Sequence, residues 1–201
     1  MKIIQPSVEP LTPFDGAEVL KFIESCGRVC YRSEKNITPD SAENFVRTLI
    51  KRGHESVLEH FSCTFKIICD RGVMAELTRH RLASFSIEST RYVDYSGEDL
   101  IFIAPPGWQA PDINFAAWKV AMELAELAYE SLRKGGCKPE QARAVLPNSL
   151  ATTIIMTANL REWRHILKLR TSDKAHPQMR YVANLILEIF KAKIPVIVED
   201  I

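Results

Sequence analysis

The segment HFSCTFKI, which begins at His60, constrains the fold more than any other part of the chain. Phe61, Cys63, Phe65 and Ile67 would share one face of an extended chain, because successive side chains of a strand point to opposite faces. The residues between them, Ser62, Thr64 and Lys66, have polar side chains. A strand with one apolar face needs a second layer to cover it. The pattern therefore predicts a half-buried strand, opened by His60, in a sheet packed against other elements.

Helical periodicity supplies that second layer. Apolar residues recur three and four apart in the segments predicted to be helical, which are residues 15–28, 40–52, 72–82, 112–134, 160–171 and 177–193. The short segments LIFIAP and LATTIIMTA are apolar or β-branched and predict two further strands. Helices outnumber strands and do not alternate strictly with them. The expected fold class is therefore α+β, with an antiparallel or mixed sheet packed with several helices in a single domain over residues 1–201.

The longest predicted helix carries a regular apolar stripe. Its members have the spacing of one helix face and are expected to lie in the core: Phe115, Trp118, Met122, Ala125, Tyr129 and Leu132.

Composition narrows the class of protein. A hydrophobic fraction of 46%, a charged fraction of 25% and a net charge of +1 are those of a soluble globular protein, and they argue against a protein that coats nucleic acid. The chain shows no signal-peptide core and no apolar run long enough to span a membrane. Its five cysteines include no C-x2-C pair, which favours free thiols. A cytoplasmic location, with no membrane partner, is expected.

Positive charge is concentrated in RHRLASFSIESTRY, which runs from Arg79 to Tyr92 and holds three arginines, one histidine and a single acid, Glu88. One interpretation is a solvated helix end, where the macrodipole favours cations. Hydroxyl side chains follow, however, among them Ser89 and Thr90. Guanidinium groups together with hydroxyls and loop amides suit a phosphate or another oxygen-rich anion. The segment therefore favours anion binding.

A second basic segment, NLREWRHILKLR, lies at residues 159–170. Arg161, His165 and Lys168 have the spacing of one helix face. Arg170 ends a line that is otherwise apolar, so its guanidinium either reaches solvent at the helix end or needs a buried partner. Residues 159–180 carry six basic side chains and two acids, a local surplus of +4.

Other sites are not indicated. The histidines and carboxylates of HESVLEH match no common zinc spacing, so no metal is expected. The chain has no G-x-G-x-x-G, no P-loop and no G-x-S-x-G. The residues alone thus predict binding of phosphorylated, nucleotide-like ligands through two arginine-rich segments. A nucleic-acid-binding module and a nucleotide-binding protein without catalytic activity stay open as alternatives.

Four motifs resemble those of the flavin-dependent thymidylate synthase family. The first is R-H-R followed after seven residues by serine, here 79–81 and Ser89. The others are RGHESVLEH, QARAVLP and NLREWRHILKLR, which occur in the family's order within residues 27–180.

The resemblance implies an enzyme that methylates dUMP to dTMP. In the family, methylenetetrahydrofolate is the carbon donor, FAD is the redox cofactor, NADPH is the reductant, and no cysteine nucleophile is needed. The resemblance also implies a homotetramer whose active sites are built from several subunits. A nucleic-acid partner is not implied.

The resemblance also assigns roles by position. Arg170 is the expected catalytic residue, and His54 is the expected neighbour of the flavin ring and of folate. Residues expected to bind dUMP are Glu76, Leu77, Thr78, Arg79, Glu88, Ser89, Thr90, Arg91 and Arg143. Residues expected to bind FAD are Ser56, Glu59, Arg79, His80, Arg81, Leu82, Asn159, Leu160, Arg161 and His165.

The chain departs from the common family pattern at a few of these places. Ser86 and Ile87 stand where asparagine and glutamate often occur, and Glu88 follows one position later. Glu76 replaces a frequent glutamine, and His165 stands where a small amide is often found.

Overall fold

The computed structural model describes all 201 residues, Met1–Ile201. Its α-helices are α1 (Gly16–Arg28), α2 (Ser41–Lys51), α3 (Arg71–Leu77), α4 (Ile113–Lys134), α5 (Pro139–Ala142), α6 (Leu160–Arg170) and α7 (Pro177–Lys193). Its strands are β1 (Lys2–Ile4), β2 (Ser7–Pro10), β3 (Ser62–Asp70), β4 (Ala83–Ile87), β5 (Ile101–Ile103) and β6 (Ala151–Asn159). The predicted α+β class is confirmed.

The strands form two sheets. β1 pairs with β5 in parallel, and a four-stranded sheet has the order β2-β3-β6-β4. Near the end of β6, Leu160 N donates to Phe61 O, and Thr64 Oγ1 lies 2.8 Å from Thr157 Oγ1. Because the partner residue number falls as the number on β3 rises, β3 and β6 are antiparallel. The expected antiparallel or mixed sheet is therefore confirmed.

The Cα packing divides the chain into two compact units. Unit 1 consists of Met1–Ser7, Ile67–Arg79 and Phe85–Ile155. Unit 2 consists of Val8–Lys66, His80–Ser84 and Met156–Ile201. The expectation of a single domain over residues 1–201 stays a prediction.

Unit 1 has a core built on α4 and β5. Phe102 and Tyr129 are buried in it with Leu100, Met122 and Leu150. The predicted stripe of α4 is only partly confirmed, since Met122 and Tyr129 are buried but its other four members are half-buried. Large apolar side chains on another part of the helix surface are exposed, namely Ile113, Val120, Leu124 and Leu127.

Unit 2 has an aromatic core. The ring of Phe65 on β3 packs edge-on against Trp163 of α6 and Phe190 of α7, with centroid separations of 5.0 and 5.6 Å. Trp163 Nε1 donates to Cys63 O at 3.2 Å, so the buried indole has its polar atom satisfied. This core fixes α6 by its apolar side and leaves the opposite side available.

Two predicted boundaries were wrong. α3 ends at Leu77, so Arg79, His80 and Arg81 lie in turns after the helix and not on its last turn. The segment Ala83–Ile87, which was not predicted to be a strand, forms β4 of the four-stranded sheet. His60 does not open β3 but ends a short 3-10 helix, Glu55–His60, and the strand begins two residues later.

Three further observations concern the cysteine thiols, membrane-spanning helices and metal binding. All five cysteines are free thiols, and burial raises the pKa of the Cys63 thiol to about 12, so this thiol is not a reactive nucleophile at neutral pH. No helix has the length and apolar character needed to cross a membrane. No group of three or more histidine, cysteine, aspartate or glutamate side chains has an arrangement that could hold a metal ion.

Candidate active site

Helix α6 positions one set of predicted residues in unit 2. Asn159 caps the helix, and its Oδ1 accepts a hydrogen bond from the backbone N–H of Glu162 at 2.9 Å. The apolar side of α6 is buried in the aromatic core. Arg161, His165 and Lys168 consequently lie together on the open side, as their spacing predicted.

That open side of α6 forms a groove with a volume of about 620 Å³. Five of its lining residues are among those expected to bind FAD: Glu59, Leu82, Asn159, Arg161 and His165. Arg161 Nη1 lies 2.6 Å from Glu59 Oε1, with about half of each side chain exposed. Because solvent screens this exposed pair, it contributes little to stability, and an incoming phosphate can take over the guanidinium.

A buried histidine holds Arg170. His80 is 6% exposed, and its Nε2 accepts a hydrogen bond from Arg170 Nε at 3.0 Å. Arg170 itself is half-buried. The guanidinium at the end of the apolar line therefore has a ring nitrogen as one of its partners.

The same ring has a carboxyl group on its other side. Glu162 Oε1 lies 3.6 Å from His80 Nδ1, and Glu162 is 6% exposed. The distance would fit an ion pair, but the electrostatics oppose one. Burial, followed by Arg170 and the nearby His165, lowers the pKa of His80 to about 4, and burial raises the pKa of Glu162. We therefore describe His80 as neutral at pH 7 and its contact with Glu162 as polar rather than ionic.

The lowered pKa of His80 gives a prediction for stability. In the unfolded chain the histidine titrates near its ordinary pKa of 6.5, so between there and about pH 4 the unfolded state binds more protons than the folded state. The free energy of unfolding should therefore fall with acidification, by about 2 kcal/mol from this group between pH 7 and roughly pH 4.5.

Urea unfolding of the wild type and of His80→Gln, at both pH values and one protein concentration, measures this contribution. The loss on acidification should be smaller in the variant, because glutamine does not titrate. Equal losses in the two proteins would mean that His80 is not a buried neutral group.

Unit 1 contains every residue expected to bind dUMP. Arg143 Nη1 donates to Thr90 Oγ1 at 3.4 Å, although 53 residues separate the two in the chain. Ser89 orders the same turn, since its carbonyl accepts from the backbone N–H groups of Tyr92 and Val93. The Arg91 Nε donates to Glu140 Oε2 at 3.1 Å at an exposed position. The structure thus brings two guanidinium groups and two hydroxyls to one turn region.

Some expected ligand residues have buried side chains. Leu77 and Leu160 are both 0% exposed, so either could contact a ligand only through its backbone. Both ring nitrogens of His80 face protein groups, which leaves its backbone and ring edge for FAD. By contrast, Ser56 and Arg81 are exposed in unit 2, although neither lines the groove.

His54, the expected neighbour of folate, lies elsewhere in unit 2. It precedes the 3-10 helix Glu55–His60 and is exposed. Together with Arg28, Tyr31 and Arg52 it lines a depression of about 550 Å³ beside α1 and α2.

Sequence reasoning missed Arg164. The sequence analysis counted Arg164 in the basic surplus of residues 159–180. Its side chain is in fact 1% exposed and is paired with the carboxylates of Asp200 and Glu55. Burial alone would lower its pKa, but the hydrogen bonds that it donates to these two carboxylates, together with their negative charge, outweigh burial and raise the pKa. Its position between the buried Trp163 and Ile166 was the one available signal. The basic surplus is therefore smaller at the protein surface than the sequence suggests.

Guanidinium groups and hydroxyls in unit 1, and a guanidinium group beside the capped end of α6 in unit 2, are the groups of a protein that binds phosphorylated ligands. Residues 16–196 match the family described as thymidylate synthase complementing protein. The chain belongs to this family.

Curated relatives agree. This chain is 36% identical to a flavin-dependent thymidylate synthase of Mycolicibacterium gilvum, over 97% of this chain and 84% of that one. A flavin-dependent thymidylate synthase of Geobacter sulfurreducens is 34% identical, over 86% of this chain and 78% of that one.

A solved structure has the same fold. The UMP/dUMP methylase PolB from Streptomyces cacaoi, bound with 5-Br dUMP, superposes with a TM-score of 0.81 and is 26% identical. The match covers 99% of this chain and 96% of that one.

Proposed function

We propose that this protein methylates dUMP to dTMP, with methylenetetrahydrofolate as carbon donor, FAD as redox cofactor and NADPH as reductant. The observation that carries the proposal is Arg170, which a neutral buried histidine holds on the helix that also lines the groove. A chain of this family that lacks reactive thiols in its motifs needs another way to activate the uracil ring. A guanidinium in a partly buried place offers one.

The groove of unit 2 fits FAD by its chemistry. Arg161, His165 and Lys168 offer hydrogen-bond donors for a pyrophosphate, while Glu59 offers acceptors for ribose hydroxyls and Leu82 an apolar surface. Bound there and reduced by NADPH, the flavin would supply the hydride that completes the methyl group. The protein's part is to bind and orient the ligand.

The turn region of unit 1 fits the phosphate of dUMP. Arg91 and Arg143 provide guanidinium groups, and Ser89 and Thr90 provide hydroxyls. Arg79, which ends the Ile67–Arg79 segment of the same unit, is exposed and adds a third guanidinium. We assign the whole expected dUMP set to this region.

Arg170 would act on the uracil ring. A guanidinium beside N3 stabilises the N3-deprotonated form, which makes C5 a better carbon nucleophile. C5 would then form a bond to the methylene carbon of the folate while the two bonds from that carbon to folate nitrogens break, and their electron pairs stay on the nitrogens, which take up protons. The proton originally on C5 would be released to water. His54, in the depression that also contains Tyr31 and Arg52, would lie beside the folate and the flavin ring.

We also propose a homotetramer in the cytoplasm, with active sites at subunit interfaces. The exposed apolar residues of α4 support a subunit contact, because Ile113, Val120, Leu124 and Leu127 have helical spacing on one side of the helix. Free cysteines suit a reducing compartment. Light scattering of the purified protein tests the assembly.

The deciding experiment follows tritium released from dUMP labelled at C5, with methylenetetrahydrofolate and NADPH, in the presence and absence of FAD. The proposal expects FAD-dependent release that matches dTMP formation. Folded protein that binds FAD but releases no tritium would instead favour a nucleotide-binding protein without catalytic activity. Salt-dependent binding of RNA or DNA, with no turnover, would favour the nucleic-acid-binding alternative.

Arg81→Ala should weaken the binding of FAD. Arg81 is exposed next to the groove residue Leu82, and a charge-assisted hydrogen bond to phosphate contributes about 1.5–3 kcal/mol, or roughly 10- to 100-fold in affinity. Flavin fluorescence titration of the apoprotein measures the change. Lys191→Ala on α7 is the matched control, since it removes an exposed cation that pairs with Glu188. An unchanged affinity in Arg81→Ala would refute the assignment.

A further inference from the structure

His80, Glu162 and Arg170 form a buried chain of contacts in unit 2. Arg170 Nε carries a hydrogen that it can only donate, so the nitrogen that receives it, His80 Nε2, must have a free lone pair. In a neutral imidazole the other nitrogen then carries the proton. Nδ1–H is therefore the tautomer that this contact requires.

Glu162 lies on the protonated side of that ring. Its Oε1 is 3.6 Å from Nδ1, slightly beyond an ordinary hydrogen bond but close enough to attract the N–H. Its backbone N–H is fixed by Asn159 at the start of α6, so the side chain starts from an anchored position. A carboxyl oxygen on this side favours a proton on Nδ1 and disfavours one on Nε2.

The surrounding charges work in the same direction. The ionisable groups that face His80 are Glu162, His165 and Arg170, all from α6. The cationic Arg170 opposes a second proton on the ring, and the His165 ring lies 6.0 Å away, centre to centre. The imidazole therefore stays neutral, and its single N–H proton lies on either Nδ1 or Nε2.

We propose that Glu162 is a positioning residue for Arg170, because its carboxyl group fixes the His80 tautomer that accepts the Arg170 Nε hydrogen. With Nε engaged in this bond, the two terminal amino groups of the guanidinium keep a defined direction. His80 thus acts on Arg170 rather than through a ring nitrogen on the flavin. The proposal rests on the role of Arg170 in the proposed function.

A simpler role for Glu162 is also available. It is the third residue after the cap of α6, where a negative charge stabilises the helix dipole. Glu43 has the equivalent position on α2, after the cap residue Asp40, and it contacts no histidine. Glu43→Ala is therefore the matched control for loss of a first-turn carboxylate.

Turnover separates the two roles. Glu162→Ala allows the Nε2–H tautomer, which places two donors face to face and displaces Arg170. We expect kcat to fall about 10- to 100-fold, as for loss of a group that orients a catalytic residue. Glu162→Gln keeps an acceptor and should stay within about threefold of the wild type. A role in the helix dipole alone predicts that both substitutions lower stability, as Glu43→Ala does, and leave kcat unchanged.

The tautomer has its own readout. Nitrogen NMR of ¹⁵N-histidine-labelled protein, with His80 assigned by comparison with His80→Gln, reports which ring nitrogen carries the proton. We expect Nδ1–H in the wild type and in Glu162→Gln, and a mixture or Nε2–H in Glu162→Ala. A wild-type Nε2–H, or an unchanged kcat in Glu162→Ala, would overturn the proposal. Absence of dTMP formation by the wild type would instead overturn the proposed function, while the spectrum would still decide the tautomer.

Discussion

Replacing Arg170 with alanine should slow dTMP formation by about 100- to 1,000-fold, the range for removal of one preorganised group that stabilises developing charge. FAD binding should be nearly unchanged, because Arg170 does not line the groove and is not among the residues expected to bind FAD. Turnover should fall because Arg170 is the guanidinium that the hydrogen bond to His80 keeps in place. Single-turnover formation of dTMP, measured beside FAD retention, gives the result.

Two further variants make this test specific. Arg180→Ala removes a nearby cation that pairs with Asp173 at 2.6 Å, and it should leave turnover close to that of the wild type. Arg170→Lys keeps the charge but has one nitrogen, which cannot serve His80 and a substrate together with the geometry of a guanidinium. Near-normal turnover in Arg170→Ala would show that another residue activates the uracil ring.

Arg164→Ala should destabilise the fold by about 3–5 kcal/mol, the range for breaking a buried ion pair by removing one partner. The substitution removes the buried cation from Glu55 and from Asp200, which keeps only its contact with the exposed Lys168, and it also removes the donor to the Ile197 carbonyl. The pKa of Asp200, which the Arg164 hydrogen bond holds well below its ordinary value, should return toward that value. Urea unfolding at a fixed protein concentration measures the loss of stability.

Lys168→Ala is the control for this prediction. Lys168 Nζ also contacts Asp200, at 2.8 Å, but 45% of its side chain is exposed. Surface pairs of this kind contribute about 0–1 kcal/mol, so this variant should unfold close to the wild type. Equal effects of the two substitutions would mean that Arg164 is not stabilised by its burial and its two partners.

Local sequence patterns were sufficient for most helices of this fold. The predicted helix at residues 177–193 matches α7 in both bounds, and Asp15, Asp112 and Asn159 cap α1, α4 and α6 through their side chains. Capping and 3.6-residue periodicity involve residues near one another in the chain, which is why a sequence reveals them.

Features set by distant residues were not predictable. The local sequence did not reveal that α3 ends at Leu77. After a short connection the chain enters β4, whose place beside β6 in the sheet depends on residues distant in the sequence. The same limit applies to the site. Periodicity placed Arg170 on an apolar line, but its partner His80 is 90 residues away in the chain. Glu55, which pairs with Arg164, is 109 residues away from it.

The contact between Arg164 and Asp200 also has a practical side. A proteolytic cut between Glu199 and Asp200 would remove one carboxylate partner of the Arg164 guanidinium without touching any residue assigned to a ligand. Helix α6 would then lose an anchor, and one wall of the groove would loosen. Intact-mass spectrometry of each preparation is therefore needed before loss of flavin in a variant is attributed to its substitution.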